Sequence, residues 1–271
     1  MGKRIAFIGG GNMASAIIGG LIRQGFAASQ MDVVEPWDEA RTRLQTDFGI
    51  TAQPAAGAFL AAADLIVWAV KPQTFKEAAA AVAAHNTGAL HLSVAAGIPS
   101  DSIATWLGSE RIIRTMPNTP ALIGKGITAL YARPAVTQAD KDWADAVIAT
   151  TGATVWLTAE AQLDAVTAIS GSGPAYMFYF MEAMTEAGAQ MGLEREQAYR
   201  LAVATFIGAG ELARASTDSP ETLRAKVTSK GGTTYAAITS MDESGVKALF
   251  AKALFAAQTR AGELGREFGA A

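Results

Sequence analysis

The chain has 271 residues, of which 50% are hydrophobic and 17% are charged, and its formal net charge is −3 at pH 7. This composition supports one large domain or two modest ones and excludes a disordered chain. The small negative charge, with lysines and arginines scattered singly, argues against partners such as nucleic acid or anionic membranes. The absence of cysteine excludes disulfides, thiolate nucleophiles and cysteine-based metal sites.

The N-terminal segment after Lys3 and Arg4 is apolar and has the general make-up of a secretory signal. However, Asn12 interrupts it and it carries a glycine-rich loop that cleavage would destroy. No uninterrupted apolar stretch approaches the roughly 20 residues of a membrane span. We therefore expect a soluble, cytoplasmic protein. His85 and His91 lack neighbours at metal-ligand spacing, so we expect them to be structural or solvent-facing and predict no metal site.

The first half of the chain alternates short apolar runs with helical, alanine-rich segments. The runs are continuous rather than alternating, as in parallel strands that are covered on both faces. They occupy residues 4–9, 31–35, 64–70, 89–97 and 111–117. This rhythm predicts an α/β fold in which residues 1–157 form a Rossmann-type, doubly wound parallel sheet.

Beyond residue 158 the sequence shows helical patterns and no convincing strand. Residues 175–193 begin apolar on every face, so we expect the first turns of that helix to be buried. A final helix is predicted from about Glu243 to Phe268, with one long apolar stripe. Residues 158–271 therefore form an all-α domain for substrate binding and dimerisation, which we expect to bury apolar surface in an interlocked homodimer.

The strongest local motif is GGGNMA at residues 9–14, which follows a strand and opens a helix. It fits G-x-G-x-x-A, in which Gly9 allows a tight turn and Gly11 lets the backbone approach a pyrophosphate. Ala14 lets the helix lie close to the sheet. We interpret the motif as a dinucleotide site; the alternative is a merely tight turn.

The coenzyme preference depends on Glu35, at the end of the second strand. A carboxylate there accepts hydrogen bonds from an adenosine ribose diol. It also repels a 2′-phosphate by roughly 1–4 kcal/mol per unit charge at 4 Å. Arg41 and Arg43 on the following helix are able to pair with that phosphate instead. The residues favour NADH but leave NADPH open.

Three further segments lie where strands end, which is where ligands bind in such folds. In residues 69–73 a lysine is held by a proline, and residues 93–98 are small enough for a flat nicotinamide to lie against. Residues 116–121 form a third loop, in which two prolines expose Asn118 and Thr119.

A second glycine-rich loop, SKGGTT at residues 229–234, opens a helix in the second half. Backbone amides at a helix start attract anions, so the loop is a candidate cradle for a substrate carboxylate. The equally weighted alternative is a plain helix cap. The helix from Ala175 to Gly192 has no lysine, arginine or histidine to move a hydroxyl proton, which disfavours a carbonyl reductase. A protonated imine needs mainly positioning.

The order of six segments resembles that of the pyrroline-5-carboxylate reductase family over nearly the whole chain. The segments are IGGGNMA, AVKPQ, SVAAGI, MPNTPA, DAVTAISGSGPAY and TSKGGTT. The resemblance implies reduction of a five-membered cyclic imine to L-proline with NADPH or NADH. It also implies intertwined dimers that commonly assemble into decamers.

The resemblance and the strand-end motifs together assign the site residues. Those expected at the coenzyme are Ile8, Gly9, Gly10, Gly11, Asn12, Met13, Glu35, Ala69, Val70, Lys71, Pro72, Ala95, Ala96, Gly97, Asn118 and Lys226. Those expected at the substrate are Glu160, Ser229, Gly231, Gly232, Thr233 and Thr234. Thr234 and Ser172 are the candidate catalytic residues. Lys230 stands where many members have proline, and Glu35 where relatives that favour NADPH often have serine.

Two other readings remain open from the residues alone. One is an enzyme that reduces a different cyclic imino acid, or a small keto or hydroxy acid. The other is a non-catalytic dinucleotide sensor whose helical half binds a partner; such a protein needs no anion loop.

Overall fold

The computed structural model describes residues 2–269, and in this range it contains one sheet. Its seven strands are β1 (Ile5–Ile8), β2 (Met31–Val34), β3 (Leu65–Trp68), β4 (Leu90–Ser93), β5 (Ile112–Met116), β6 (Gly126–Ala132) and β7 (Gly152–Trp156). They lie side by side in the order β2-β1-β3-β4-β5-β6-β7.

The first five strands are parallel, which confirms the predicted Rossmann-type sheet. β6 then runs antiparallel to β5, and β7 pairs in parallel with β6. These last two strands are not among the five predicted from the sequence. β7 alternates between half-buried and exposed residues along its length, so it lacks the continuous apolar run by which the inner strands are recognised.

Helices cover both faces of the sheet and extend beyond it. They are α1 (Asn12–Arg23), α2 (Asp38–Phe48), α3 (Pro72–Ala83), α4 (Ser100–Leu107), α5 (Gln138–Ile148), α6 (Gln162–Val166), α7 (Gly173–Gln190), α8 (Arg195–Ala215), α9 (Pro220–Lys226), α10 (Thr233–Glu243) and α11 (Val246–Gly269). Ile5 and Phe7 of β1 pack towards α1 and α5, whereas Ala6 and Ile8 pack towards α3 and α4. This is the doubly wound arrangement. Among the described helices, none is long and apolar enough to cross a membrane.

The chain forms two compact units. The first contains the residues up to Ser172 together with those from Ala257 onwards, and the second is Gly173–Ala256. The long helix α11 therefore contributes its first part to the second unit and its last part to the first. In the part of the chain described here, only helices follow β7. The predicted boundary between residues 157 and 158 stays a prediction.

The second unit is held together by α7, α8 and the first part of α11. Gly188 allows α7 to approach α8 closely, since a Cβ at this position would lie 2.7 Å from the Cβ of Ala198. Phe250 makes edge-on ring contacts with Tyr176 and Phe180, both at 5.7 Å between centroids.

Two expectations about these helices are wrong for the single chain. The first turns of α7 are not buried: Phe178 is 58% exposed and Tyr179 is 69% exposed, because residues 2–269 do not cover this side of the helix. The last helix begins at Val246 and not at Glu243, which ends α10. Gly245 separates the two helices with a φ of +68°, a backbone conformation that interrupts a helix and favours glycine.

His91 is a structural histidine in the middle of β4. Its side chain is fully buried, and its Nδ1 atom accepts a hydrogen bond from Trp68 Nε1 at 3.2 Å. Nε2 therefore carries the proton, and it has no hydrogen-bond partner in the described structure. Burial, with a smaller contribution from the charge of Arg111, lowers the pKa of His91 to about 4.

Because the pKa of His91 in the folded chain lies below its value of 6.5 in the unfolded chain, the unfolded state takes up a proton first on acidification. Stability is therefore full above pH 6.5 and falls as the pH drops towards 4. When the pH falls from 7 to 4.5, we expect protonation of His91 in the unfolded chain to lower the free energy of unfolding by about 2 kcal/mol. Urea unfolding of His91→Gln at both pH values should show a smaller loss than the parent chain.

The exposed His85 supplies the control, since His85→Gln should retain the acid sensitivity of the parent. An equal loss of stability in the parent and in His91→Gln would contradict the assignment to His91.

Candidate active site

The predicted coenzyme residues of the first unit line one edge of the sheet. Ile8, Ala69, Ala95 and Asn118 lie at or just beyond the carboxyl ends of β1, β3, β4 and β5. These strands are neighbours in the sheet and parallel, so their loops meet along the same edge. The strand order reverses between β1 and β3, and the glycine loop lies at this switch point.

The glycine loop has the geometry of a dinucleotide cradle. Gly9 has a φ of +95°, and a Cβ at this position would lie 2.6 Å from the carbonyl oxygen of Ala69. Gly11 precedes α1 and has open space around the position of a Cβ, with no atom within 4 Å. No side chain caps the start of α1, which begins with Asn12 and Met13. The first amides of this helix are thus available to a pyrophosphate, so the residues present fit a dinucleotide.

Glu35 lies beneath this loop with its carboxylate turned inwards. Oε2 accepts a hydrogen bond from Gly10 N at 2.7 Å, and Oε1 accepts one from Trp37 N at 2.9 Å. The residue is 6% exposed. A Cβ on Gly10 would lie 3.4 Å from Glu35 Cβ, so the two residues are closely packed. Each carboxylate oxygen keeps a further acceptor site, so the predicted contact with a ribose stays a prediction.

Arg41 folds back over the turn that follows β2. Its guanidinium donates to the carbonyl oxygens of Glu35 and Pro36 at 2.9 and 2.7 Å and also pairs with Asp38. Arg43 is exposed. Trp37, 74% exposed at the same turn, is a residue that the sequence analysis did not single out.

Two further loops continue the edge. Lys71 immediately precedes α3 and Pro72 is its first residue, and no side chain caps this helix either. Ala95 to Gly97, which follow β4, are small residues against which a flat nicotinamide ring is predicted to lie; we call them the platform. Gly97 has a φ of +76°, and a Cβ there would lie 3.2 Å from Leu264 Cβ on α11.

Asn118 is engaged within the protein. Its side-chain amide donates to the carbonyl oxygen of Ser170 at 3.2 Å, and its side-chain oxygen accepts from Ile127 N at 3.0 Å. Ser170 belongs to a π-helical turn, Thr167–Gly171, that ends at Ser172. Such turns are rare and often occur at functional sites. The half-buried Ser172 therefore lies beside an irregular backbone at the end of the first unit.

Glu160 binds three donors of its own unit. Its carboxylate accepts hydrogen bonds from Ser100 N and Ser100 Oγ and forms an ion pair with Arg114. Ser100 and Arg114 were missed by the sequence analysis. The available signal was an arginine, Arg114, inside the otherwise mostly apolar strand IIRTM.

The remaining predicted residues lie in the second unit. In the loop 229–234, Gly231 has a φ of +76° and Ser229 is exposed. Gly232 precedes α10, and no side chain in the described structure caps this helix start, where Thr233 and Thr234 are the first residues. This observation disfavours the plain helix cap. Lys226, at the end of α9, pairs with Asp218.

Comparisons with known proteins agree with this geometry. A family model described as pyrroline-5-carboxylate reductase dimerisation matches residues 160–264, and one described as NADP oxidoreductase, coenzyme F420-dependent, matches residues 4–97. Pyrroline-5-carboxylate reductase from Pseudomonas aeruginosa is 46% identical over 268 residues, which cover 98% of both proteins. The chain belongs to the pyrroline-5-carboxylate reductase family.

Other members of the pyrroline-5-carboxylate reductase family are similar at full length. The protein from Haemophilus influenzae is 38% identical over 97% of both chains. The solved structure of a pyrroline-5-carboxylate reductase from Coxiella burnetii has a TM-score of 0.90 at 36% identity and covers 97% of this chain and 98% of its own. The structure of the Plasmodium falciparum enzyme with NADP bound has a TM-score of 0.86 at 26% identity, with 97% and 98% coverage.

Replacement of Gly11 by alanine should separate coenzyme binding from folding. The added Cβ meets open space in the protein but stands where the pyrophosphate approaches, so we expect unchanged thermal stability. The dissociation constant for NADPH, measured by fluorescence titration, should rise about tenfold or more, which corresponds to at least ~1.4 kcal/mol.

Gly9→Ala is the matched comparison. Here the Cβ collides with the Ala69 carbonyl oxygen and the backbone is left-handed, so thermal stability should fall as well. Undiminished NADPH binding by Gly11→Ala would contradict the cradle.

Proposed function

We propose that the protein is an NAD(P)H-dependent pyrroline-5-carboxylate reductase, which reduces the C=N bond of 1-pyrroline-5-carboxylate to give L-proline in the last step of proline biosynthesis. The observation that carries the proposal is the 46% identity, over 98% of both chains, to the reductase from Pseudomonas aeruginosa. The glycine loop and the uncapped starts of α1 and α3 support the coenzyme requirement.

The coenzyme is held by backbone groups at the edge of the sheet. Residues 8–13 receive the pyrophosphate at the start of α1, and Ala69 to Pro72 and Ala95 to Gly97 face the nicotinamide half. When bound, the reduced nicotinamide supplies the hydride. The small residues at 95–97 leave room for the flat ring.

The choice between NADH and NADPH follows from charges around Glu35. Its buried carboxylate disfavours a 2′-phosphate, whereas Arg41 and Arg43 favour one. Arg41 is already bound to two carbonyl oxygens and to Asp38, so the exposed Arg43 is the freer of the two for a phosphate. The proposed enzyme therefore uses both coenzymes. The ratio of kcat/KM for NADH to that for NADPH depends on how far the repulsion by Glu35 outweighs the attraction by Arg43.

The substrate carboxylate is held by the loop 229–234. The amides of Thr233 and Thr234 open a helix that no side chain caps, and their hydroxyls add two donors. The left-handed turn at Gly231 lets the loop bend sharply before the helix. Lys230, exposed in the same loop, adds a positive charge that attracts the anion.

The reaction asks for positioning more than for acid catalysis. Once its nitrogen is protonated, the C=N bond is already electrophilic, so the chain must hold the carbon in line with the hydride donor. Thr234 fixes the carboxylate, and Ser172 shapes the pocket. This fits α7, which has no lysine, arginine or histidine between Gly173 and Gln190.

The second unit forms the homo-oligomeric contact. Exposed apolar side chains such as Phe178, Tyr179, Ile207 and Leu249 give it a surface that a second copy would bury. An interlocked dimer, its further assembly into a decamer and a cytoplasmic location remain predictions.

The activity is tested by steady-state oxidation of NADH and NADPH, side by side, with 1-pyrroline-5-carboxylate. Turnover with formation of proline is the expected result. The ratio of the two kcat/KM values shows whether Glu35 or the arginines decide the preference. Tight dinucleotide binding without turnover by either coenzyme would contradict the proposed reaction and favour a sensor or another imine.

Thr234→Ala should raise KM for the imine and leave KM for the coenzyme nearly unchanged. A hydrogen bond to a charged group contributes about 1.5–3 kcal/mol, so the rise should be roughly tenfold or more. Ser240→Ala, an exposed site on the same helix, is the control and should behave as the parent chain. An equal rise in both KM values for Thr234→Ala would show that the residue does not bind the carboxylate.

A further inference from the structure

Glu160 is one of the most fully engaged carboxylates of the first unit. Oε1 accepts from Ser100 N at 2.7 Å and from Arg114 NH1 at 2.5 Å, and Oε2 accepts from Ser100 Oγ at 2.5 Å. A carboxylate offers about four acceptor sites, so three of them are used within the protein. Its partners are secluded, with Ser100 1% exposed and the Arg114 side chain 11% exposed.

Ser100 is the first residue of α4, and Glu160 caps that helix from a distance of 60 residues along the chain. The preceding residue, Pro99, has no side chain able to cap, so the Ser100 amide would otherwise be an orphan donor at the helix start. A negative charge there also complements the helix dipole. Ser100 Oγ in turn accepts a hydrogen bond, at 3.1 Å, from Arg133, the residue that follows β6.

Arg114 binds the same carboxylate near the start of the segment that connects β4 to α4. It lies on β5 opposite Ser93, the last residue of β4. The connection between Ser93 and Ser100 consists of residues 94–99 and contains the platform Ala95 to Gly97. Glu160 thus binds next to the point where this connection leaves β4 and at the point where it enters α4.

The helix α11 also packs against this connection. Leu264 packs against Gly97, and Ser102 Oγ donates to the carbonyl oxygen of Gly269 at 2.9 Å. Ile98, between the platform and α4, is fully buried. With these contacts in place, the position of the platform depends on how firmly the start of α4 is held.

We propose that Glu160 is a positioning residue: through Ser100 and Arg114 its carboxylate fixes the connection 94–99, and with it the surface against which the nicotinamide ring lies. This rests on the proposed function for the identity of the ring. It differs from the substrate contact that the family resemblance implies for Glu160, because a positioning residue acts through Ser100 and a substrate ligand does not.

The test compares Glu160→Gln with Ser100→Ala, because Ser100 is buried and is not among the residues assigned to the coenzyme or the substrate. Binding of NADPH and of ADP-ribose, which lacks the nicotinamide, is measured for each variant. We expect about a fivefold or greater loss of NADPH affinity in both, equivalent to at least ~1 kcal/mol, and unchanged ADP-ribose affinity. The double variant should lose less than the product of the two single losses, since both changes break one network.

Amide hydrogen exchange of the segment 94–99 provides a readout that is independent of turnover. Exchange should be faster in both variants, and Ser100→Thr, which keeps the hydroxyl, should restore protection. Thr105→Ala, an exposed site on the same helix, should match the parent chain in every measurement.

Two outcomes would overturn the positioning role. One is an imine KM raised by Glu160→Gln alone, with Ser100→Ala behaving as the parent, which would make Glu160 a substrate ligand. The other is unchanged NADPH affinity and exchange in both variants. Failure of the parent chain to reduce the imine would instead overturn the proposed function, and the binding and exchange comparisons would still stand.

Discussion

The site depends on one close contact, between the backbone of Gly9 and the carbonyl oxygen of Ala69. A Cβ at Gly9 would come within 2.6 Å of this oxygen, so only glycine lets the loop after β1 lie against the loop after β3. The contact brings together two helix starts, those of α1 and α3, at the switch point of the sheet. Neither start is capped by a side chain, and α1 presents its first amides at this point, whereas α3 begins with Pro72, which has no N–H.

Two carboxylates, the buried Glu35 and the half-buried Glu160, then hold loops near this contact. Glu35 binds the amides of Gly10 and Trp37, and Glu160 binds Ser100 and Arg114. In both cases a side chain supplies an acceptor to backbone donors that the loop itself cannot satisfy. Buried donors without partners are costly, so these bonds fix loop conformations that the local sequence alone would leave open.

Periodic patterns and local motifs could be predicted from the sequence. Features that depend on contacts with residues far away along the chain could not. Strands β1 to β5 are continuous apolar runs, and the glycine loop is a local motif, so both were found. β6 and β7 lie at the margin of the sheet, and the half-buried, alternating β7 lacks that signal. The exposed start of α7 was missed because an apolar surface does not say whether its cover lies within the same chain. The partners of Glu160 lie 46 and 60 residues away, and no spacing rule reaches that far.

The chemistry of the proposed substrate explains why the charges of the first unit are used in this way. A carbonyl substrate requires a proton donor, and a side chain kept for this purpose must remain unbound and close to the ring. A protonated imine is already electrophilic, so the barrier to hydride transfer depends on how well the imine carbon and the hydride donor are aligned. Alignment is set by loops, and here several charged groups hold loops: Glu35 and Arg41 bind the turn after β2, and Glu160, paired with Arg114, binds Ser100 at the end of the connection after β4. Because these four groups are engaged in holding the backbone, we assign them to positioning and not to acid–base catalysis.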